Sequence, residues 1–118
     1  MNIESYRDHC IRKPGVTEGF PFDEKTLVFK VMNKMFALTD IDSFKFANLK
    51  CDPQRAVDLR EGNPGITLGW HMNKTLWNSV STDGSVSDSL FLELIDHSYE
   101  LIVASLPKKL QEELKGKI

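Results

Sequence analysis

Nothing in this sequence has the spacing of a dedicated catalytic or metal motif. Its cysteines, Cys10 and Cys51, are far apart and belong to no Cys-x-x-Cys pair. That excludes a disulfide framework and a dithiol redox motif, and both read as reduced thiols in a reducing compartment. The histidines, His9, His71 and His97, fall on separate segments with no His-x-x-His or Glu-x-x-His pair. A metal site needs three or four convergent ligands, so none is expected. There is no Gly-x-Ser-x-Gly elbow and no phosphate-binding loop. Gly62-Asn63-Pro64-Gly65 follows a helical pattern and leads into a strand, the reverse of the order that cradles phosphate. His9 and Cys10 are neighbours on a helix, about 100° apart, and are poorly placed to pair. No cofactor is expected, and the chain does not read as an enzyme.

Long apolar runs are also missing. The N-terminal residues Met1 to Asp8 carry acids early and have no hydrophobic core stretch, so no signal peptide is expected. The most apolar segment, Leu90 to Leu106, is interrupted by Glu93, Asp96, His97 and Glu100 and cannot cross a bilayer. A cytoplasmic location without a membrane partner is the expectation. Overall basic charge is absent too: the net charge is −2 and the pI about 5.9, low for a nucleic-acid binder. The charge is unevenly spread, however. Residues 25–50 hold five lysines against Asp40 and Asp42, whereas residues 83–105 hold five acids and no Lys or Arg. Such a dipolar chain can hide a basic surface behind an acidic average, although acidic helices also arise simply to solvate themselves.

What is present is an ordinary globular composition, 41% hydrophobic and 27% charged, at a length suited to one domain spanning residues 1–118. Residues 2–13 read as a helix capped by Asn2, with Ile3, Tyr6, Cys10 and Lys13 on one face, stopped by Pro14-Gly15. Val16 to Phe22 reads as an extended edge piece. Strands are expected at 26–32 and 35–39, joined by a two-residue turn at Asn33-Lys34, and a third at 44–50. Asp52-Pro53 starts a helix that runs to about Glu61 and ends at Gly62. Ile66 to Met72 and Thr75 to Val80 read as two strands joined by a second Asn-Lys turn, Asn73-Lys74. Ser87-Asp88 opens a long helix to about residue 105, with Phe91, Leu94, Ile95, Ser98, Leu101 and Ile102 as its buried stripe. A short helix, 108–115, closes the chain with Leu110 and Leu114 inward. The order α-β(3-4)-α-β(2)-α-α predicts an α+β fold: a two-layer sandwich of one antiparallel sheet backed by helices.

These residues resemble the MmcQ/YjbR family. The resemblance is carried by Lys13-Pro14-Gly15-Val16-Thr17-Glu18, Phe20-Pro21-Phe22, Leu27-Val28-Phe29-Lys30-Val31 and Asn48-Leu49-Lys50-Cys51-Asp52-Pro53. It continues through Pro64-Gly65-Ile66-Thr67, His71-Met72-Asn73-Lys74 with Trp77, Leu94-Ile95-Asp96-His97-Ser98-Tyr99 and Leu106-Pro107-Lys108-Lys109. The stretch Asp42 to Ala47 departs from the tryptophan-containing version of relatives. The resemblance implies a secretion-chaperone-like or CyaY-like fold, and a DNA-binding role inferred from a double-wing-like sheet.

The candidate site follows from the residues around Trp70 to Trp77. Lysine supplies charge for phosphate, and aromatic faces supply stacking. His71, Lys74 and Trp77 on the one expected hairpin, with Lys34 at the tip of the other and Lys30, Lys45, Lys50 and Arg60 extending the surface, make the candidate DNA interface. The competing reading has both tryptophans packing the sheet onto its helices and the lysines merely solvated. The partners implied are DNA, through backbone phosphate, or alternatively a protein bound by a small non-enzymatic or self-associating module, as monomer or weak dimer.

Overall fold

The computed structural model describes residues 1–117. Four helices and six strands follow in the expected order: α1 (Ile3–Ile11), β1 (Val16–Gly19), β2 (Thr26–Val31), β3 (Lys34–Asp40), β4 (Phe46–Lys50), α2 (Pro53–Gly62), β5 (Ile66–Leu68), β6 (Trp77–Ser81), α3 (Asp88–Ser105) and α4 (Lys108–Lys115). The strands form one antiparallel sheet in the order β1-β2-β3-β4-β6-β5. The α+β architecture is as the sequence predicts.

Helix starts obey their capping residues. The side chains of Asn2, Asp52 and Ser87 accept the backbone N–H of Ser5, Arg55 and Leu90 at 2.8, 3.1 and 3.2 Å. Each satisfies a donor that the first helical turn leaves free. Gly15 ends the α1 region with φ of +73°, and a Cβ there would stand 2.4 Å from Leu114 Cδ1. Only glycine lets α4 close onto this turn.

Pairing register decides which side chains share a face. Leu27, Phe29 and Val31 of β2, Ala37 of β3, Ala47 and Leu49 of β4 and Val80 of β6 join the main core with Tyr6, Phe91, Leu94 and Ile95. The turn between β2 and β3 is Met32-Asn33, with φ of +48° and +71°, as a two-residue hairpin of right-handed twist requires. It therefore lies one residue earlier than Asn33-Lys34. Lys34 is the first residue of β3, opposite Val31.

The β2–β3 register slips between Phe29 and Lys30, making Phe36 an extra residue in β3. Both Phe36 and Ala37 then reach the main core. Ser98 of α3, fully buried, bridges the gap in the ladder. Its hydroxyl donates to the Phe36 carbonyl at 2.6 Å and accepts the Lys50 N–H at 2.9 Å.

Two other expectations are corrected. Phe44 does not begin β4: its φ is +39° and its ring packs 5.4 Å from that of Tyr6. Nor are 66–72 and 75–80 a tight hairpin. β5 ends at Leu68, and residues 69–76 form a folded loop. Asn73 closes it by accepting the N–H groups of Thr75 and Leu76 at 2.9 and 3.1 Å, a side-chain turn that competes with strand pairing.

Candidate functional site

The helices cover one face of the sheet, and the other face is where a site can form. It carries a second, smaller core of Val28, Leu38 and Trp77, against which Met35, Met72 and Leu76 pack. The 69–76 loop thus lies down onto the sheet rather than projecting as a wing. Lys74 folds back so that its ammonium donates to the Gly69 carbonyl. Trp77 is only 8% exposed, but it is buried on the face away from the helices. Trp70 is 61% exposed. The expectation that both tryptophans pack the sheet onto helices fails for each: the loop covers one, and nothing covers the other.

Trp70 is nevertheless firmly placed. Its N–H donates to Ser79 Oγ at 3.0 Å, and its carbonyl accepts from Asn48 Nδ2 at 2.9 Å. Ser79 in turn donates to Asn48 Oδ1. This closed ring of buried polar groups fixes the loop backbone and presents the indole to solvent. His71 follows at φ +58°, its ring edge-on to Trp70 with centroids 4.5 Å apart.

The candidate interface residues are divided between the faces. Lys30 pairs with Met35 and Lys50 with Trp77, which puts both lysines on the open face. Lys34, paired with Val31, starts on the helix-bearing face. Arg60 of α2 also belongs to that side, donating to Asn78 Oδ1 at 2.7 Å. Lys45 precedes β4, at the opposite end of that strand from Lys50, about 17 Å along it. No carboxylate lies within 4.0 Å of the Lys30, Lys34, Lys45, Lys50 or Lys74 ammonium among the described residues. The five are free of ion pairs but do not converge.

What the open face does assemble is a groove of about 810 Å³. Met35, Leu38, Phe46 and Asn48 line it along β3 and β4, Phe22 stands at one side and Trp70 to Asn73 at the other. Phe22 is 63% exposed, so two large aromatic side chains flank the groove without cover. No Lys or Arg lines it, whereas Asp23 and Asp40 do. Both carboxyls lie below the usual carboxylate range. The N–H groups of Thr26 and Lys25 hold the charge on Asp23, and those of Ser43 and Asp42 hold it on Asp40. Sequence reasoning missed this groove. Its signals were Phe22, a bulky aromatic beside a proline, and the period-two pattern that puts Met35, Leu38, Phe46 and Asn48 on the side away from the helices.

The remaining reactive groups serve structure. His9 Nε2 and the Lys13 ammonium both meet the Asp96 carboxylate, the former at 2.7 Å, and Lys13 lies 5.3 Å from the Tyr99 ring centre. Burial pushes the Cys10 thiol far above its ordinary pKa, which makes it a poor nucleophile. Among the described residues no group of three or more His, Cys, Asp or Glu is placed to hold a metal ion, and no helix is long and apolar enough to cross a membrane.

A family model described as YjbR matches residues 11–101, most of the sheet and helices just described. The chain belongs to the YjbR family. It is 34% identical to the uncharacterized protein YbdF of Escherichia coli over 113 residues, covering 95% of this chain and 93% of YbdF. It is 32% identical to the uncharacterized protein YjbR of Escherichia coli over 110 residues, covering 92% and 93%. Among solved structures, the Deinococcus radiodurans protein DR2400, with a DUF419 domain, superposes with a TM-score of 0.91 at 40% identity, covering 97% of this chain and 88% of that one. A Pseudomonas syringae protein follows with a TM-score of 0.73 at 27% identity, covering 86% and 98%. The YjbR-family assignment and the fold of these neighbours agree with the six-stranded sheet and four helices found here.

Proposed function

We propose that this YjbR-family protein is a non-enzymatic module that binds an extended apolar segment of a partner protein on the open face of its sheet. The supporting observation is the groove itself: apolar and aromatic side chains line it, and it contains no Lys or Arg. Binding sites for organic ligands and chain segments share this character, a mostly apolar concavity with a few fixed polar groups. A phosphate-contacting surface instead needs several convergent cations. The DNA-binding reading retains support from Lys30 and Lys50, which share the open face and have no carboxylate partner. Two such lysines about 10 Å apart, the width of two strand spacings, engage few phosphates.

Trp70 supplies the test. Titration with a capped peptide of alternating leucine and threonine should shift its emission to the blue, and Trp70→Phe should abolish the shift, because Trp77 is already buried. Duplex DNA at low salt should leave the emission unchanged and be retained only weakly. Strong, steeply salt-dependent retention of DNA without any response to the peptide would replace the protein-binding reading with the nucleic-acid one.

A further inference from the structure

We infer that the groove takes an arginine side chain of the bound partner segment at the end where Asp23 and Asp40 stand. The inference rests on the protein-binding reading above and adds the residue type that the groove recognises.

This end of the groove is open. Asp23, Asp40, Ser43 and the flanking Phe22 and Trp70 are exposed, and Phe46 is half-buried. Thr39 pairs with Ala47, so Asp40 of β3 and Phe46 follow as neighbours across the two strands. Thr26 of β2 faces Asp40 from the other side, and its hydroxyl donates to Asp23 at 3.1 Å. The two acids therefore stand around one end of the strands, each with an aromatic neighbour. Phe22 precedes Asp23 in the chain, and Phe46 lies beside Asp40 across the sheet. A guanidinium suits such a pairing, because it donates in its plane while its face stacks on a ring. Its aliphatic stem covers apolar surface of the kind Phe46 offers.

The carboxylates are placed and charged before anything binds. Asp23 Oδ1 accepts the N–H groups of Lys25 and Thr26, and Asp40 Oδ1 accepts those of Asp42 and Ser43. These bonds keep both acids ionised and leave each Oδ2 able to accept from a cation. The protein's own cations do not fill the place. The Lys25 ammonium is turned to Asp42 at 3.6 Å, and among the described residues no Lys or Arg nitrogen lies within 4.0 Å of Asp23 or Asp40. Lys45, next to Phe46, lines the adjoining cavity with Ser81 and Asp83 rather than the groove. Residues 22–26 and 40–43 together hold four acids and one lysine, so an acidic side chain arriving there meets repulsion.

The test compares three capped leucine–threonine peptides with arginine, citrulline or glutamate at the centre, followed by Trp70 emission. Citrulline keeps the shape of arginine and removes its charge. At low ionic strength the arginine peptide should bind about tenfold more tightly than the citrulline one, each exposed charge contact contributing up to about fivefold. The glutamate peptide should bind more weakly than either. Asp23→Asn with Asp40→Asn should bring the arginine peptide down to the citrulline level. Asparagine's side-chain oxygen keeps both turns capped, so circular dichroism should not change. Glu112→Gln with Glu113→Gln removes the same net charge from α4, which packs on the helix-bearing side through Leu114, and should leave the arginine preference intact. A preference that survives the aspartate changes, or that the α4 changes erase as well, would refute the assignment to Asp23 and Asp40. Equal binding of all three peptides would overturn the arginine selection and leave the groove reading standing. Binding of none would overturn both.

Discussion

Ser98→Ala removes one oxygen from the buried centre of the molecule, and the structure assigns that oxygen a specific task. The bulge at Phe36 breaks the regular ladder between β3 and β4, and Ser98 fills the break with one bond donated and one accepted. Alanine leaves almost no cavity, so the cost comes from stranding the Phe36 carbonyl and the Lys50 N–H. An unsatisfied buried group costs about 1–3 kcal/mol. With two groups stranded, and allowing about 0.5 kcal/mol in favour of alanine for helix propensity, the net loss should be about 1.5–5.5 kcal/mol. With a urea m-value of about 2 kcal/mol/M for a domain of this size, the midpoint should fall by about 1–3 M. Urea unfolding followed by circular dichroism measures this directly. Ser105→Ala is the control, since its hydroxyl bonds the Ile102 carbonyl at the exposed end of the same helix. It should shift stability by less than about 0.5 kcal/mol. A Ser98→Ala midpoint equal to that of the parent would show that the hydroxyl does not replace the missing rung.

Gly15→Ala should lower Tm by about 8–15 °C. Positive φ and the clash with Leu114 together cost about 2–3 kcal/mol, and each kcal/mol moves a domain of this size about 4–5 °C. A differential scanning run checks it. Trp70→Ala should change stability by less than about 1 kcal/mol, because its indole is mostly exposed, while abolishing peptide binding; urea melts and a binding titration separate the two effects. His97 accepts the Asp52 N–H at 3.1 Å, and its pKa is lowered first by burial and then by Arg55. An unfolded chain therefore takes up the proton more readily than the folded one. The contribution of His97 is complete above the unfolded value of about 6.5 and is lost as pH falls below it towards the lowered folded value. Urea midpoints at pH 7.5 and pH 5.5 should differ less in His97→Gln than in the parent.

The sequence was most informative where local chemistry is decisive. Asn2, Asp52-Pro53 and Ser87 announce the helix starts because a capping oxygen acts within three residues of its own backbone. The α3 stripe is legible for the same reason, since its period of 3.6 repeats five times. Strand ends were harder to read. Asn33 fits either position of a two-residue turn, and only the register of Val31 with Lys34 distinguishes them. The second Asn-Lys pair has the same letters but a different outcome: Asn73 turns its side chain onto its own loop, while Met72 and Leu76 find an apolar bed on Val28 and Leu38. That bed is built by strands distant in sequence. The lysines misled for a similar reason. Lys30 and Lys34 are four apart, but the turn and the register send them to opposite faces. The groove needed the register of β2, β3 and β4 together, so Phe22 and Trp70 could be noticed in the sequence but not matched.

Amide chemical-shift mapping separates the two readings, with the capped leucine–threonine peptide and a short DNA duplex titrated in turn at low salt. The account predicts that the peptide perturbs Leu38, Phe46, Asn48, Trp70 and Met72, which line one groove, and that DNA perturbs them little. Shifts induced by DNA across Lys30, Lys34, Lys45 and Lys74, with none induced by the peptide, would contradict it.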